Sequence, residues 1–364
     1  MGLSQIERAW RRGWMRSIGM LSAGDRVATL PRWNERPHTV LYMRTQGIGD
    51  LILATGALRA IARAQPSIAL DVLTTAQASP VLERNPYVRH VYSLPHTLGG
   101  VLEVVRAIRR EKYDVVIDGK ITRGASFIRS PALTLASRAP YRVGVGGGNH
   151  PLVFNVCVDR FDRATTHMIE GSAALATPFG VDLPATDFRP EIFLSELETT
   201  IAEDVWSSAT GRDENHRERW LINISAGAAL RRWPNDRWTA LVKHLRARRP
   251  EATIIIVGSS TEWSSVCDVA YQGDAVAAPT RRLRDVLALV GTSTRVITAD
   301  TSITHAASAF CIPTVILIQR GLSQWLPWQT PHSVAYWSGS TIESLSIATA
   351  CEALDGLLQC PHSS

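Results

Sequence analysis

Two apolar patterns take turns along the chain. Short runs apolar at nearly every position occur at Thr39–Thr45 (TVLYMRT), Ile68–Thr75 (IALDVLTT), Tyr113–Gly119 (YDVVIDG), Ala252–Gly258 (ATIIIVG) and Ile312–Ile318 (IPTVILI). Such runs read as strands buried on both faces. Between them lie stretches whose apolar residues recur at helical spacing: Leu51–Pro66, Leu98–Lys112, Ser195–Thr210, Asn235–Pro250 and Thr280–Gly291. Strands alternating with amphipathic helices predict βαβ units and a parallel sheet. Weaker segments extend the series. Ala76–Asn85, Thr166–Val181 and Ser260–Ala270 read as helices, Val88–Leu94, Tyr141–Gly148 and Arg219–Gly227 as strands running into turns, and Thr341–Gln359 as a C-terminal helix. Gln319–His332 reads as a long loop rich in Trp, Gln and Pro.

The series restarts near Pro190, so the expected architecture is α/β with two doubly wound, Rossmann-like domains. The expected boundaries are an extension at 1–37, a first domain at 38–185, a second at 186–339 and a crossing helix at 340–364. Ligands of such sheets bind beyond the carboxyl ends of the strands, so two halves facing across a cleft could hold one substrate each.

Composition supports a packed protein: of 364 residues 45% are hydrophobic and 20% charged. A formal net charge of +6 suits a phosphorylated ligand or an anionic membrane surface. No basic run with interleaved aromatics, zinc finger or RNA-binding signature is present, which argues against nucleic acid. The five cysteines (Cys157, Cys267, Cys311, Cys351, Cys360) lack metal or redox spacing, as in a reducing compartment. No apolar run spans a membrane, and Arg8, Arg11, Arg12 and Arg16 interrupt any signal-peptide core. A cytoplasmic protein is expected, peripheral at the inner face of the membrane if the extension attaches it. In that extension Ile6, Trp10, Trp14, Met15, Ile18 and Leu21 lie near one helical face, with arginines elsewhere. Packing on the protein's own surface and interfacial membrane attachment both fit this pattern.

Two turns carry candidate chemistry. Asp300, Thr301 and Ser302 are cap-forming residues between a strand and a small-residue helix containing His305. The backbone N–H groups of Thr301, Ser302 and Ile303 would point at an anion, a phosphate by preference. Asp300 repels phosphate and is read as a sugar-hydroxyl contact or a helix cap. In the first half, Gly47 and Gly49 permit a tight turn next to a ligand, and Asp50 reads as the N-cap of the following helix.

Five phrases in order resemble the glycosyltransferase family that contains the bacterial heptosyltransferases of lipopolysaccharide core synthesis. They are QGIGDLIL (Gln46–Leu53), NPYVRHVY (Asn85–Tyr92), INISAGAALRRWPNDRW (Ile222–Trp238), Gly258 through Glu262, and DTSITHAASAFCIP (Asp300–Pro313). The likeness spans roughly His38 to Pro331. It implies a GT-B fold, no required metal or cofactor, and inverting transfer of a sugar from a nucleotide-diphosphate donor, ADP-heptose first, to a lipid-linked saccharide acceptor. Under this likeness Asp50 is the general base, with Gly47 and Gly49 on the acceptor side. Arg231 neutralises the leaving diphosphate. Arg232, Glu262, Asp300, Thr301, Ser302, Ile303 and His305 line the donor site. Trp233 and Pro234 fix the turn. On residue type alone, the Gln319–Gln329 loop, with Arg320, Trp325 and Trp328, would close over the donor or line the sugar pocket, and Gly144–Gly148 with Asn149 and His150 is either a flexible crossing or a loop that faces the acceptor. Three departures stand out: Ser302 where the family has glycine, Arg231 where lysine is common, and the extra N-terminal residues. A nucleotide-sugar-binding member without activity and an epimerase of the same fold are the alternative readings.

Overall fold

The computed structural model describes residues 31–121, 129–146, 153–159, 162, 165–210 and 218–359. The predicted N-terminal helix and most of the glycine-rich loop after Val145 lie outside the described residues. The chain divides into two compact units, the first ending at Phe188 and the second starting at Arg189.

In the first unit the strands are β1 (His38–Arg44), β2 (Ile68–Thr75), β3 (His90–Leu94), β4 (Val115–Asp118), β5 (Tyr141–Val145) and β6 (Val156–Val158). The helices are α1 (Ile48–Ala64), α2 (Leu98–Glu111), α3 (Arg129–Ser137) and α4 (Met168–Ala174). The sheet is parallel, in the order β3-β2-β1-β4-β5-β6. This is the doubly wound order in which the chain reverses direction beside β1. Register runs from His38 opposite Ile68 to Arg44 opposite Thr74, so the ends of β1 and β2 are level.

The second unit repeats the plan with β7 (Arg219–Asn223), β8 (Thr253–Val257), β9 (Val276–Ala277), β10 (Arg295–Ala299), β11 (Thr314–Gln319) and β12 (His332–Trp337). Its helices are α5 (Glu196–Thr210), α6 (Asn235–Arg248), α7 (Trp263–Gly273), α8 (Leu283–Gly291), α9 (Ser302–Ala309) and α10 (Ile347–Gln359). Strand order is β12-β11-β10-β7-β8-β9, again parallel. Strands β8 and β10 are buried at every position, as expected when helices cover both faces.

Several elements differ from expectation. Ala76–Asn85 forms only the 3-10 turn Ser79–Leu82, because Pro80 removes a donor and restricts the residue before it. Thr166–Val181 breaks into α4 and a second 3-10 turn, Thr177–Phe179, around Pro178. Strands β6 and β9, of three and two residues, have no readable pattern. The apolar residues Ala350, Ala353, Leu354 and Leu357 of the C-terminal helix belong to the second unit's core, with α10 lying on α6, β11 and β12.

That core contains Trp220, Trp233 and Trp238. The last two rings meet edge-on at 5.1 Å, and the Trp233 indole donates to the Leu345 carbonyl at 3.2 Å. Trp233 thereby anchors the turn before α6, whose N-cap is Pro234. Another lock joins α5 to α8. Arg284, almost fully buried, donates to both oxygens of Glu198 at 2.7 and 2.6 Å and to the Phe193 carbonyl at 2.6 Å.

The Arg284 guanidinium holds the Glu198 carboxyl down at about 2. A carboxyl depressed on folding adds stability above its unfolded value near ~4.3 and loses it as pH falls through its folded value. Glu198→Gln is therefore expected to cost about 3 kcal/mol at neutral pH by leaving Arg284 buried against an amide. The gap in thermal midpoint between wild type and variant should shrink as pH falls from about 4 toward 2; a gap independent of pH would contradict this.

Candidate active site

Each unit places a polar cluster at the carboxyl end of its central strands. In the first unit, α1 starts directly after β1. Its N-cap is Gly47, so Asp50 is the third helical residue and not the N-cap predicted from sequence. The Asp50 carboxylate reaches back, and Oδ2 accepts from the Gly47 N–H at 3.2 Å. The same carboxylate favours the positive end of the helix. Oδ1 accepts from Arg44 Nη2 at 2.5 Å. The carboxylate remains 22% exposed. Gly47 has φ −67°, an ordinary value, so the turn needs no left-handed glycine there. Its Cβ position lies 3.5 Å from Asp50 Oδ2.

Beside this turn, β4 ends in Asp118. Its carboxylate is buried and accepts from the Ser130 hydroxyl and, at 3.0 Å, from the Lys120 N–H. Burial pushes the Asp118 carboxyl up and the Lys120 ammonium down. Burial likewise raises the Tyr42 phenol to about 12. Asp118 and Arg44 were missed from sequence, although a charged residue closing an apolar strand (VVID, LYMR) was the available signal.

In the second unit, Arg231 ends the 3-10 turn Ala229–Arg231 that follows β7. Its Nη1 donates to the Asp300 carboxylate at 2.8 Å and to the Asp300 carbonyl at 3.1 Å. Asp300 thus aims the arginine. It does not cap α9, whose N-cap is Thr301, the Thr301 hydroxyl accepting from the Ile303 N–H at 3.3 Å. Of the three N–H groups expected to face an anion, that of Ile303 is therefore used inside the protein. Those of Thr301 and Ser302 have no protein acceptor among the described residues. Asn223 fixes the cap by donating to Thr298 Oγ1 at 3.0 Å and Thr301 Oγ1 at 3.3 Å. Ser302 is the first helical residue of α9 and is absent from the positive-φ positions, so the backbone does not demand the family's glycine.

Arg232 pairs with Glu262 at 3.0 Å and stays largely exposed. Glu262, in the turn after β8, also accepts from Ser225 Oγ at 2.7 Å and Ser259 Oγ at 2.6 Å. This network ties the β7 and β8 turns together. His305 is buried at 3% exposure, its ring 6.0 Å from Trp325. The Trp325–Trp328 stretch is pinned on α9, the Trp328 N–H donating to Ser308 Oγ at 3.0 Å, while Arg320 lies over the Tyr336 ring at 5.1 Å. Among the described residues no group of three or more His, Cys, Asp or Glu is placed to hold a metal ion. None of the described helices is long and apolar enough to cross a membrane.

Chemically, the first unit offers a fixed, partly exposed carboxylate. The second offers an aimed arginine beside free N–H groups at a helix start, an arrangement suited to a diphosphate.

Known proteins share this plan. Lipopolysaccharide heptosyltransferase 3 of Escherichia coli K12 is 22% identical over 312 residues, 80% of this chain and 86% of that one. The solved glycosyl transferase family 9 protein of Veillonella parvula superposes with a TM-score of 0.73 at 18% identity, covering 89% of this chain and 97% of that one. An E. coli heptosyltransferase solved with ADP superposes at 0.67 and 18% identity, covering 88% and 99%. These likenesses confirm the GT-B fold. The model of glycosyltransferase family 9 (heptosyltransferase) matches residues 101–334, well over half of the chain, and the chain belongs to that family.

Proposed function

We propose that this protein is an inverting, metal-independent glycosyltransferase that moves a sugar, heptose by preference, from a nucleotide-diphosphate donor to a hydroxyl of a lipid-linked cell-envelope saccharide. The observation that carries this reading is the division of chemistry between the two strand-end clusters. One holds a partly exposed carboxylate, Asp50, tied by Arg44 and Gly47. The other holds a cation, Arg231, aimed by Asp300 beside the open start of α9. The family membership and the relatives' names, lipopolysaccharide heptosyltransferases 2 and 3, support heptose and a lipopolysaccharide-core acceptor. ADP in a related solved heptosyltransferase supports an adenine nucleotide.

Asp50 takes the acceptor hydroxyl proton as that oxygen attacks the anomeric carbon. The carbon–oxygen bond to the diphosphate breaks on the opposite face, and the leaving group's charge falls to Arg231 and the N–H groups of Thr301 and Ser302. Glu262 and Arg232 shape the nucleoside end of the site. A net charge of +6 favours work at the anionic cytoplasmic face of a membrane.

The test is turnover of a nucleotide-sugar panel that includes ADP-heptose, with and without a lipid-linked core saccharide. The expected result is donor consumption that depends on the acceptor, with ADP-heptose the best donor. Equal donor turnover without acceptor, or none under either condition, would contradict transfer.

A further inference from the structure

Arg44 is the last residue of β1, and its side chain is 1% exposed. It is among the largest fully buried side chains of the molecule. Its guanidinium is spread over two elements. Nη2 donates to Asp50 Oδ1 at 2.5 Å, Nε to the Asp50 carbonyl at 3.3 Å, and Nη1 to the Gly119 carbonyl. Its own carbonyl accepts from Thr74 Oγ1 at 2.7 Å, which fixes the strand end from which the side chain leaves. Gly119 is built for this approach. Its N–H donates to the Met43 carbonyl at 2.9 Å, and a Cβ there would stand 2.6 Å from the Tyr42 ring and 2.8 Å from that carbonyl. Only glycine lets the residue after β4 come close enough to offer its carbonyl to Arg44.

A buried guanidinium is costly to desolvate, and an apolar residue at this inward position would serve the core as well or better. The fork geometry has one evident product: the Asp50 carboxylate is fixed at both oxygens, Oδ1 by Arg44 and Oδ2 by the Gly47 N–H. A carboxylate holds about four acceptor sites, so two bonds leave capacity for an incoming hydroxyl. An aspartate on the first turn of a helix otherwise has rotamers that swing the carboxylate away.

We infer that Arg44 is a positioning residue for proton transfer, acting through Asp50 and braced by the Gly119 carbonyl. This rests on the reading of Asp50 as the general base. Arg44 touches no reacting atom; it holds the base in the geometry from which attack can occur. A misplaced base costs about 10²-fold in rate.

A double-mutant cycle with Arg44→Lys, Asp50→Asn and the combined variant separates the two readings. The readouts are kcat for transfer from ADP-heptose to a lipid-linked core saccharide, and the dissociation constant for ADP. Lysine keeps the charge and loses the fork. The expected result is a fall of about 10²-fold in kcat for Arg44→Lys, with ADP affinity unchanged. The combined variant should be no slower than Asp50→Asn alone, because residues acting as one unit are not additive. In Arg44→Ala, added guanidinium at millimolar concentration should restore part of the rate. If Asp50→Asn is inactive and Arg44→Lys transfers at the wild-type rate, or if the two losses multiply in the combined variant, the positioning role is overturned and the base survives. If Asp50→Asn itself transfers at the wild-type rate, the base assignment falls and takes the positioning role with it. Loss of the fold in both Arg44→Lys and Arg44→Ala, read by circular dichroism, would show a purely structural arginine and also overturn the inference.

Discussion

Replacing Asp50 by asparagine is expected to lower the rate of sugar transfer by about 10²–10⁴-fold while leaving nucleotide affinity unchanged. The substitution is nearly isosteric. The amide oxygen can still accept from the Gly47 N–H, so the first turn of α1 keeps that bond. What disappears is the ability to take a proton at the moment the acceptor oxygen becomes a nucleophile. Asparagine also leaves the Arg44 guanidinium buried against a neutral group, which costs stability as well as rate. Rates should therefore be compared well below the variant's melting temperature, with ADP binding as the check that the protein is folded. A variant that binds ADP normally and transfers at the wild-type rate would show that Asp50 is only a helix-start residue.

Removing Arg231 is expected to produce the second large effect, a fall of about 10²–10³-fold in kcat for Arg231→Ala, because one preorganised donor to developing charge is lost. Its geometry favours this reading over a solvated surface arginine. It is half-buried, and Asp300 holds it through both carboxylate and carbonyl. Arg231→Lys should fall between wild type and alanine, since the charge stays but the planar guanidinium that Asp300 aims through Nη1 goes. ADP affinity should weaken with the same substitutions, in contrast to the Asp50 variant. Unchanged kcat and unchanged ADP affinity in Arg231→Ala would place the leaving diphosphate elsewhere.

The outline of the fold was legible because parallel strands covered on both faces must be apolar at nearly every position. TVLYMR and ATIIIV declare themselves for that reason, and the helices between the strands carry the 3.6-residue spacing. Strands β6 and β9 were not legible, since two or three residues at a sheet edge carry too little pattern. The helix start at Asp50 was misplaced by three residues because aspartate suits both the N-cap and the third helical position, and only Gly47 accepting the cap role decides between them.

The candidate site was legible as residue types at strand ends, and not as partnerships. Arg231 meets Asp300 across 69 positions of sequence, and Arg44 grips both Asp50 and the Gly119 carbonyl. No periodicity encodes such pairings; they follow from the strand order, which brings the ends of β1 and β4, and of β7 and β10, side by side. Asp300 shows the consequence. Read alone it is a cap or a sugar contact; in place it is the residue that aims Arg231. Ser302 lies at the first helical position, outside the left-handed region, so a side chain is tolerated where the family has glycine.

Under the proposed reaction, displacement occurs at the anomeric carbon, with Asp50 activating the acceptor and Arg231 receiving the leaving group. The most direct measurement is the acceptor-dependent turnover of ADP-heptose followed by proton nuclear magnetic resonance at the anomeric position. The predicted result is a product whose anomeric configuration is opposite to that of the donor, formed only when acceptor is present. A product of retained configuration, or donor converted at the same rate without acceptor, would contradict it.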